Sequence, residues 1–155
     1  MNIQFTAHGE PKAQPRVRAF SCGGRARVYD PGTAEGWKSQ VAEAAREHIP
    51  GAPIGGPVKV SLSFRMWRPK GHYGVGRNAG VLKASAPSSH TKKPDIDNLT
   101  KAVLDALTCL GFWRDDCQVI HCLAEKGYQT NFGDPPGVDV RIEYGSNATA
   151  RAGRN

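Results

Sequence analysis

Hydrophobic positions recur along this chain at two periods, and the switches between them mark its elements. Residues 2–8, NIQFTAH, alternate as an opening strand with one buried face would. Val58, Val60, Leu62, Phe64 and Met66 in PVKVSLSFRMW (57–67) alternate more strictly and predict a second strand. CQVIHCLAEKGY (117–128) and GVDVRIEY (137–144) read as two more, separated by Asn131, Gly133 and Pro135-Pro136. Helical spacing takes over twice. Trp37, Val41, Ala44, Ala45 and His48 predict a helix over 34–49, with Thr33 as its cap and Pro50-Gly51 as its stop. Leu99, Val103, Ala106, Leu107 and Leu110 predict another from Asn98 to about Leu110, with Gly111 placed to end it and Phe112 and Trp113 as anchors returning to the core.

Two stretches have neither period. Residues 9–33 combine Pro and Gly with Lys12, Arg16, Arg18, Arg25 and Arg27 and interleaved Phe20 and Tyr29, and read as a loop or an exposed ribbon. Residues 68–93, rich in Gly, Ser and cations, read as a basic flexible loop of a length that tends to be functional or mobile. The resulting order is β-α-β-α-β-β: an α+β (mixed α/β) domain with two helices packed on a mixed β-sheet. One such domain over 1–145, followed by a frayed tail at 146–155, accounts for a chain of 155 residues. No run approaches the roughly 20 apolar residues of a membrane span, and no leader is legible at the start, so the expectation is a soluble, cytoplasmic protein.

Charge changes the picture. The formal net charge is +7, but residues 1–93 carry a balance of +10 and residues 94–155 a balance of −3. A basic surface that neutralises phosphates suits nucleic acid, with salt-dependent affinity. The acids are a local exception: KPDIDNLTKAVLDALTCLGFWRDD (93–116) gathers five aspartates. Cys22, Cys109, Cys117 and Cys122 are read as reduced thiols, and the group Cys117, His121 and Cys122 lies in an alternating neighbourhood that favours strand side chains over a zinc site.

Pro94 disfavours helix for Lys93, so the chain is expected to arrive extended, with Asp97 at or just before the helix start. As a cap, one carboxylate is enough. Asp95 and Asp97, two residues apart in an extended segment, would point to one side. Lys101 follows Asp97 by four residues and Asp105 follows Lys101 by four, a spacing that by itself gives a surface ion pair. Asp115 and Asp116 precede a strand, where an acidic pair is ordinarily a solvated turn. Together they crowd like charges around one helix end, and a divalent cation with hard-oxygen preference would relieve that crowding. An EF-hand loop fails, because Thr100 and Ala106 stand where its Gly and Glu belong.

DIDNLTKAVLDALTCLGFWRDDCQV resembles the signature of the RusA family of Holliday junction resolvases: D-x-D-N-L-x-K, then D-A-L, then G-x-W-x-D-D-x-Q-V. The resemblance implies a homodimeric, Mg²⁺-dependent endodeoxyribonuclease, with Mn²⁺ able to substitute, that nicks opposing strands of four-way junction DNA in recombination and repair. It implies a bacterial cytoplasm and often a phage or prophage gene. Carried over, the catalytic residues are Asp95, Asp97, Lys101 and Asp116; the metal ligands are Asp95, Asp97 and Asp116, with Asp115 a further candidate; and Asn98 is supporting. The long 68–93 insertion, and Lys92-Lys93-Pro94 in place of a run of arginines, depart from the shorter family pattern. The expected DNA contacts are Lys12, Arg16, Arg18, Arg68, Lys70, Lys92 and Lys93, with Arg65, Arg77 and Lys83 also available to phosphates. Two rivals stay open: a junction- or DNA-binding protein without cleavage, and a metal-dependent nuclease acting on forks, flaps or RNA.

Overall fold

A computed structural model describes residues 1–15 and 34–145, together with the backbones of two strands at 18–22 and 25–29. The elements are β1 (Asn2–His8), β2 (Arg18–Cys22), β3 (Arg25–Tyr29), α1 (Glu35–Ala45), β4 (Val58–Met66), α2 (Ile96–Cys109), β5 (Val119–Tyr128) and β6 (Gly137–Tyr144). The two helices and the four-stranded mixed sheet give the expected α+β arrangement. The stretch 9–33 contains a ribbon, since β2 and β3 pair antiparallel as a sheet of their own. Arg16, Thr33 and the tail at 146–155 lie outside the described residues, as do the side chains of Arg18 and Cys22.

The main sheet has the order β1-β6-β4-β5; β4 runs parallel to β5, while β6 is antiparallel to β4 and to β1. A parallel pair cannot be closed by a hairpin, so the chain must cross back over the sheet between β4 and β5, and α2 is that crossover. One sheet face is apolar because every even residue of β4 is buried, in register with Val138, Val140 and Ile142 of β6 and, through β6, with Ala7 and Phe5 of β1. Trp37, Val41 and Ala45 of α1 and Leu99, Ala102, Val103, Ala106 and Leu107 of α2 pack onto it. The sheet's other face is polar. There Thr6 Oγ1 donates to Asp139 at 2.7 Å, Ser63 Oγ to Glu125 at 2.8 Å, and Arg65 pairs with Asp139.

Several boundaries differ from the sequence reading. α1 is α-helical only to Ala45 and tightens into a 3₁₀ turn at Arg46–His48, where exposed His48 stacks on Phe5 with ring centroids 5.6 Å apart. Ala34, which cannot cap, holds the cap position. α2 begins two residues earlier than expected, at Ile96, since the restriction imposed by Pro94 ends at Lys93 and Asp95 is free to serve as the cap residue. Its other end follows the glycine rule: Gly111 has φ +80°, Gly111 N donates to Thr108 O and Phe112 N to Leu107 O, a Schellman closure that turns fully buried Phe112 and Trp113 into the core.

The 68–93 segment is structured, contrary to a bare-loop reading. Two 3₁₀ turns and bridges of Tyr73 to Leu82, Gly74 to Ala79 and Ser89 to Gly127 organise it. Its centre of attachment is Tyr128 at the end of β5. The Arg68 guanidinium carbon lies 4.4 Å from the Tyr128 ring centroid, and the His72 and His90 rings meet that ring edge-on at 5.3 and 4.9 Å. Burial, then Arg68, Lys92 and Lys83, lower the His72 pKa; burial, then Lys126, opposed by a backbone hydrogen bond and reinforced by Lys92, lower that of His90.

A histidine with a depressed folded pKa is favoured neutral. Its contribution is complete above the unfolded value of 6.5 and is lost as the pH falls below it, because the unfolded chain then binds protons that the folded chain refuses. Thermal denaturation should therefore show Tm falling between about pH 7 and about pH 5, with a shallower slope in the His72→Gln, His90→Gln double variant. Identical slopes would remove these histidines from the account.

Candidate active site

The sequence sets α2 between two acidic groups. Asp95 is its cap residue, extended at φ −73° and ψ 142°, and Asp97 lies in its first turn; both are exposed. Asp95 makes no side-chain cap hydrogen bond, so the helix start does not consume its carboxylate. One turn on, exposed Lys101 reaches Asp105 at 3.6 Å, the ion pair that the four-residue spacing predicts, and Lys38 of α1 approaches the second Asp105 oxygen at 4.0 Å. Such a pair contributes about 0.3–0.5 kcal/mol. Asp105 therefore ties the two helices rather than joining the first-turn acids.

Cationic segments converge on this helix start. Gln14 N donates to Asn98 O at 2.9 Å, bringing the segment that carries Lys12 against the first turn. Lys92 and Lys93 arrive directly before Pro94 and are exposed. Lys70, Arg77 and Lys83 are exposed on the 68–93 segment, with Lys83 Nζ donating to Gly71 O at 2.9 Å. Lys12 pairs with Glu10 at 2.8 Å, a contact between exposed groups that phosphate can replace.

Two expected phosphate contacts are spent elsewhere. Arg68 is only 7% exposed: its Nη1 donates to Pro87 O at 2.9 Å, its backbone N donates to Gln129 Oε1 at 3.0 Å, and its guanidinium covers Tyr128. Arg65 points to the polar sheet face, where Asp139 holds it. A cation in a loop sequence reads as solvent-facing; burial under neighbouring segments is invisible at that level.

Asp115 and Asp116 occupy the other end of the helix. Asp115 caps the 3₁₀ turn Asp116–Gln118: its Oδ1 accepts from Cys117 N at 2.8 Å, and this bond holds its carboxyl below the usual range. The reciprocal half of that box is Gln118, whose Oε1 accepts from Arg114 N at 2.9 Å and Asp115 N at 3.3 Å. Gln118 Nε2 also donates to Ile54 O at 2.8 Å and Gly56 O at 3.0 Å, latching the turn onto the chain before β4. Asp115 thus has a structural task that the sequence left open, and Asp116, like Asp115, is exposed. Gln118 entered the sequence reading only as part of the G-x-W-x-D-D-x-Q-V signature; its capping role went unread, although its position three residues after Asp115 is a capping-box spacing.

The acids expected to form one metal site do not meet within a chain. Fourteen helical residues span about 21 Å. Lys126 Nζ, donating to Pro94 O at 2.7 Å, fixes the helix start beside the end of β5, whereas Gln118 and the bond from Ile54 N to Phe112 O fix the 112–118 turn beside its beginning. Seven strand residues separate those points, roughly 23 Å. Among the described residues no group of three His, Cys, Asp or Glu side chains could hold a metal ion. Asp95 and Asp97 supply the hard oxygens that Mg²⁺ takes, one or two carboxylates at a time, and Asp116 does not join them in the same copy.

A concavity of about 640 Å³ lined by Pro57, Lys59, Ile120, Arg141, Glu143 and Tyr144 lies at the opposite sheet end from Asp95. Cys109, Cys117 and Cys122 are free. Among the described residues no helix is long and apolar enough to cross a membrane.

Comparison with known proteins gives a concordant result. The family model described as Endodeoxyribonuclease RusA matches residues 8–143. A Bacillus subtilis (strain 168) protein named uncharacterized protein YqaN is 36% identical over 141 residues, covering 90% of this chain and 94% of that protein. The crossover junction endodeoxyribonucleases RusA of Escherichia coli (strain K12) and of Enterobacteria phage 82 are each 59% identical over 29 residues, 19% of this chain and 24% of theirs.

Replacing Gln118 by Ala removes four hydrogen bonds that hold the 112–118 turn and should lower unfolding free energy by about 2 kcal/mol in urea titrations. A loss below about 0.5 kcal/mol would mean that Phe112 and Trp113 alone seat the turn.

Proposed function

The chain belongs to the RusA endodeoxyribonuclease family, and we propose that it is a divalent-cation-dependent endonuclease that cuts four-way DNA junctions as a pair of identical chains. The observation that carries the reading is the placement of Asp95, Asp97 and Lys101 on the first turns of α2, where the segments bearing Lys12, Lys92 and Lys93 converge. Exposed carboxylates amid cations suit a phosphodiester. The cations gather the backbone and release its counterions, and the acids address one phosphate of it.

The second copy follows from the distance between the acids. β5 is an edge strand of the main sheet, its outer edge bridged among the described residues by Ser89 at Gly127 alone, with Ile120 and Leu123 exposed at 67% and 58%. Such an edge is a template for another strand. A second chain pairing antiparallel along β5 about a two-fold axis would set the start of its strand beside the end of the first. Asp116 of one copy then approaches Asp95 and Asp97 of the other, twice, by symmetry. Two equivalent sites suit two opposing strands.

Bound there, Mg²⁺ or Mn²⁺ would polarise the scissile phosphate and offset the charge of the crowded carboxylates. Asp95, Asp97 and the partner's Asp116 are the holding groups. Lys101, half-held by Asp105, supports negative charge that develops on the phosphate oxygens in the transition state. Lys70, Lys92 and Lys93 hold flanking phosphates, and Asn98 supports the site by receiving Gln14 through its carbonyl.

Asp97→Asn should retain junction binding and lose cleavage by at least about 100-fold, read by nicking of a synthetic mobile four-way junction beside fork, duplex and single strand. Undiminished cutting would sink the site assignment, and equal rates on all four substrates would sink the junction reading. Sharing of acids has its own test. Asp97→Asn and Asp116→Asn proteins, each inactive alone, should on mixing regain nicking of a single strand per junction, since the mixed pair holds one complete site. A mixture as inactive as its components, with subunit exchange verified, would refute the shared site.

A further inference from the structure

β5 does more than offer an edge, because one of its side chains grips the chain immediately before Asp95. The strand register sets Ala124, Lys126 and Tyr128 opposite Leu62, Phe64 and Met66, so Lys126 lies on the helix-covered side of the sheet. There it is half-buried, and its Nζ donates to Lys92 O at 2.8 Å and to Pro94 O at 2.7 Å. A lysine ammonium has three donors, and two are taken by these carbonyls. It is a clamp on backbone, not a free cation awaiting a phosphate.

We propose that Lys126 is a positioning residue for Asp95, a role that rests on the reading of Asp95 as a metal-holding acid given above. The Pro94 oxygen belongs to the same planar peptide as the Asp95 nitrogen and α-carbon. Holding that oxygen fixes the plane from which the Asp95 side chain departs. Among the described residues no other contact on this approach does so: Pro94 has no N–H to donate, and Asp95 makes no side-chain cap bond to its own helix. The remaining restraints act further back, where Ser89 bridges to Gly127 and His90 meets Tyr128. These leave four residues before Asp95 for Lys126 to govern. Through β5, the same residue also couples the Asp95 end of one copy to the strand along which a second copy would pair.

Lys126→Met keeps the apolar stem and deletes both bonds; Lys126→Arg can restore donors to the two carbonyls. The methionine variant should fold and bind the four-way junction with Kd within about twofold of the unaltered protein. Its single-turnover cleavage should fall, and its half-saturating Mg²⁺ concentration rise, each by about 10–100-fold, the scale of lost outer support at a metal site. The arginine variant should recover most of both. Hydrogen exchange at Leu99, whose N–H bonds to Asp95 O at 3.1 Å, should quicken in the methionine variant alone. Unchanged cleavage and Mg²⁺ dependence would overturn the proposal, as would a loss confined to junction Kd, which would make Lys126 a phosphate contact. If the unaltered protein cut no DNA, the functional reading would fall instead; Mg²⁺ affinity by calorimetry and the Leu99 exchange rate would still decide, and no change in either would overturn the clamp.

Discussion

The parallel pairing of β4 with β5 is the constraint on which the rest of the molecule depends. Parallel neighbours demand a crossover, and here the crossover contains the fourteen-residue helix α2. That helix buries one face on the sheet through Leu99, Val103 and Leu107, so it cannot bend or shorten without opening the core. A rigid rod of this kind has two ends about 21 Å apart. Asp95 and Asp97 are sorted to one end, Asp115 and Asp116 to the other.

The same sorting explains why the sequence was informative about elements and silent about the distance between the acids. Alternation in 57–67 and 137–144 was decisive because both strands bury a single face, and β4 and β6 follow it residue by residue. β5 was legible less from burial than from its flanks, since its edge position leaves Ile120, His121 and Leu123 exposed. Gly111, Phe112 and Trp113 were legible through local chemistry that the Schellman turn carries out. The β2–β3 ribbon was only half legible: its residues alternate too weakly to separate a ribbon from a loop. The site suffered most. Asp97 and Asp116 are close in sequence, and closeness in sequence across a helix means distance in space.

Burial decided the fate of individual charges in ways composition could not. Arg68 and Lys92 look alike in a loop rich in Gly and Ser, yet one is stacked on Tyr128 and the other is exposed. Asp115 and Asp116 are adjacent and chemically identical. One accepts the amide of Cys117 and caps the turn, and its neighbour is the first residue of that turn. A bare motif assigns both to the same chemistry; the cap separates them.

The net charge of +7 then acquires a division of labour. Among the described residues, ion pairs join Lys12 to Glu10 and Lys101 to Asp105, while Lys92 and Lys93 stand exposed directly before Pro94 and Asp95. Exposed carboxylates offer oxygen ligands of the kind a hard cation takes. The polar sheet face shows the contrary arrangement, with Arg65, Asp139, Thr6, Ser63 and Glu125 satisfying one another. Charges that close on themselves hold a sheet together. Exposed lysines before a helix start suit an anion, and the outer edge of β5 suits another backbone.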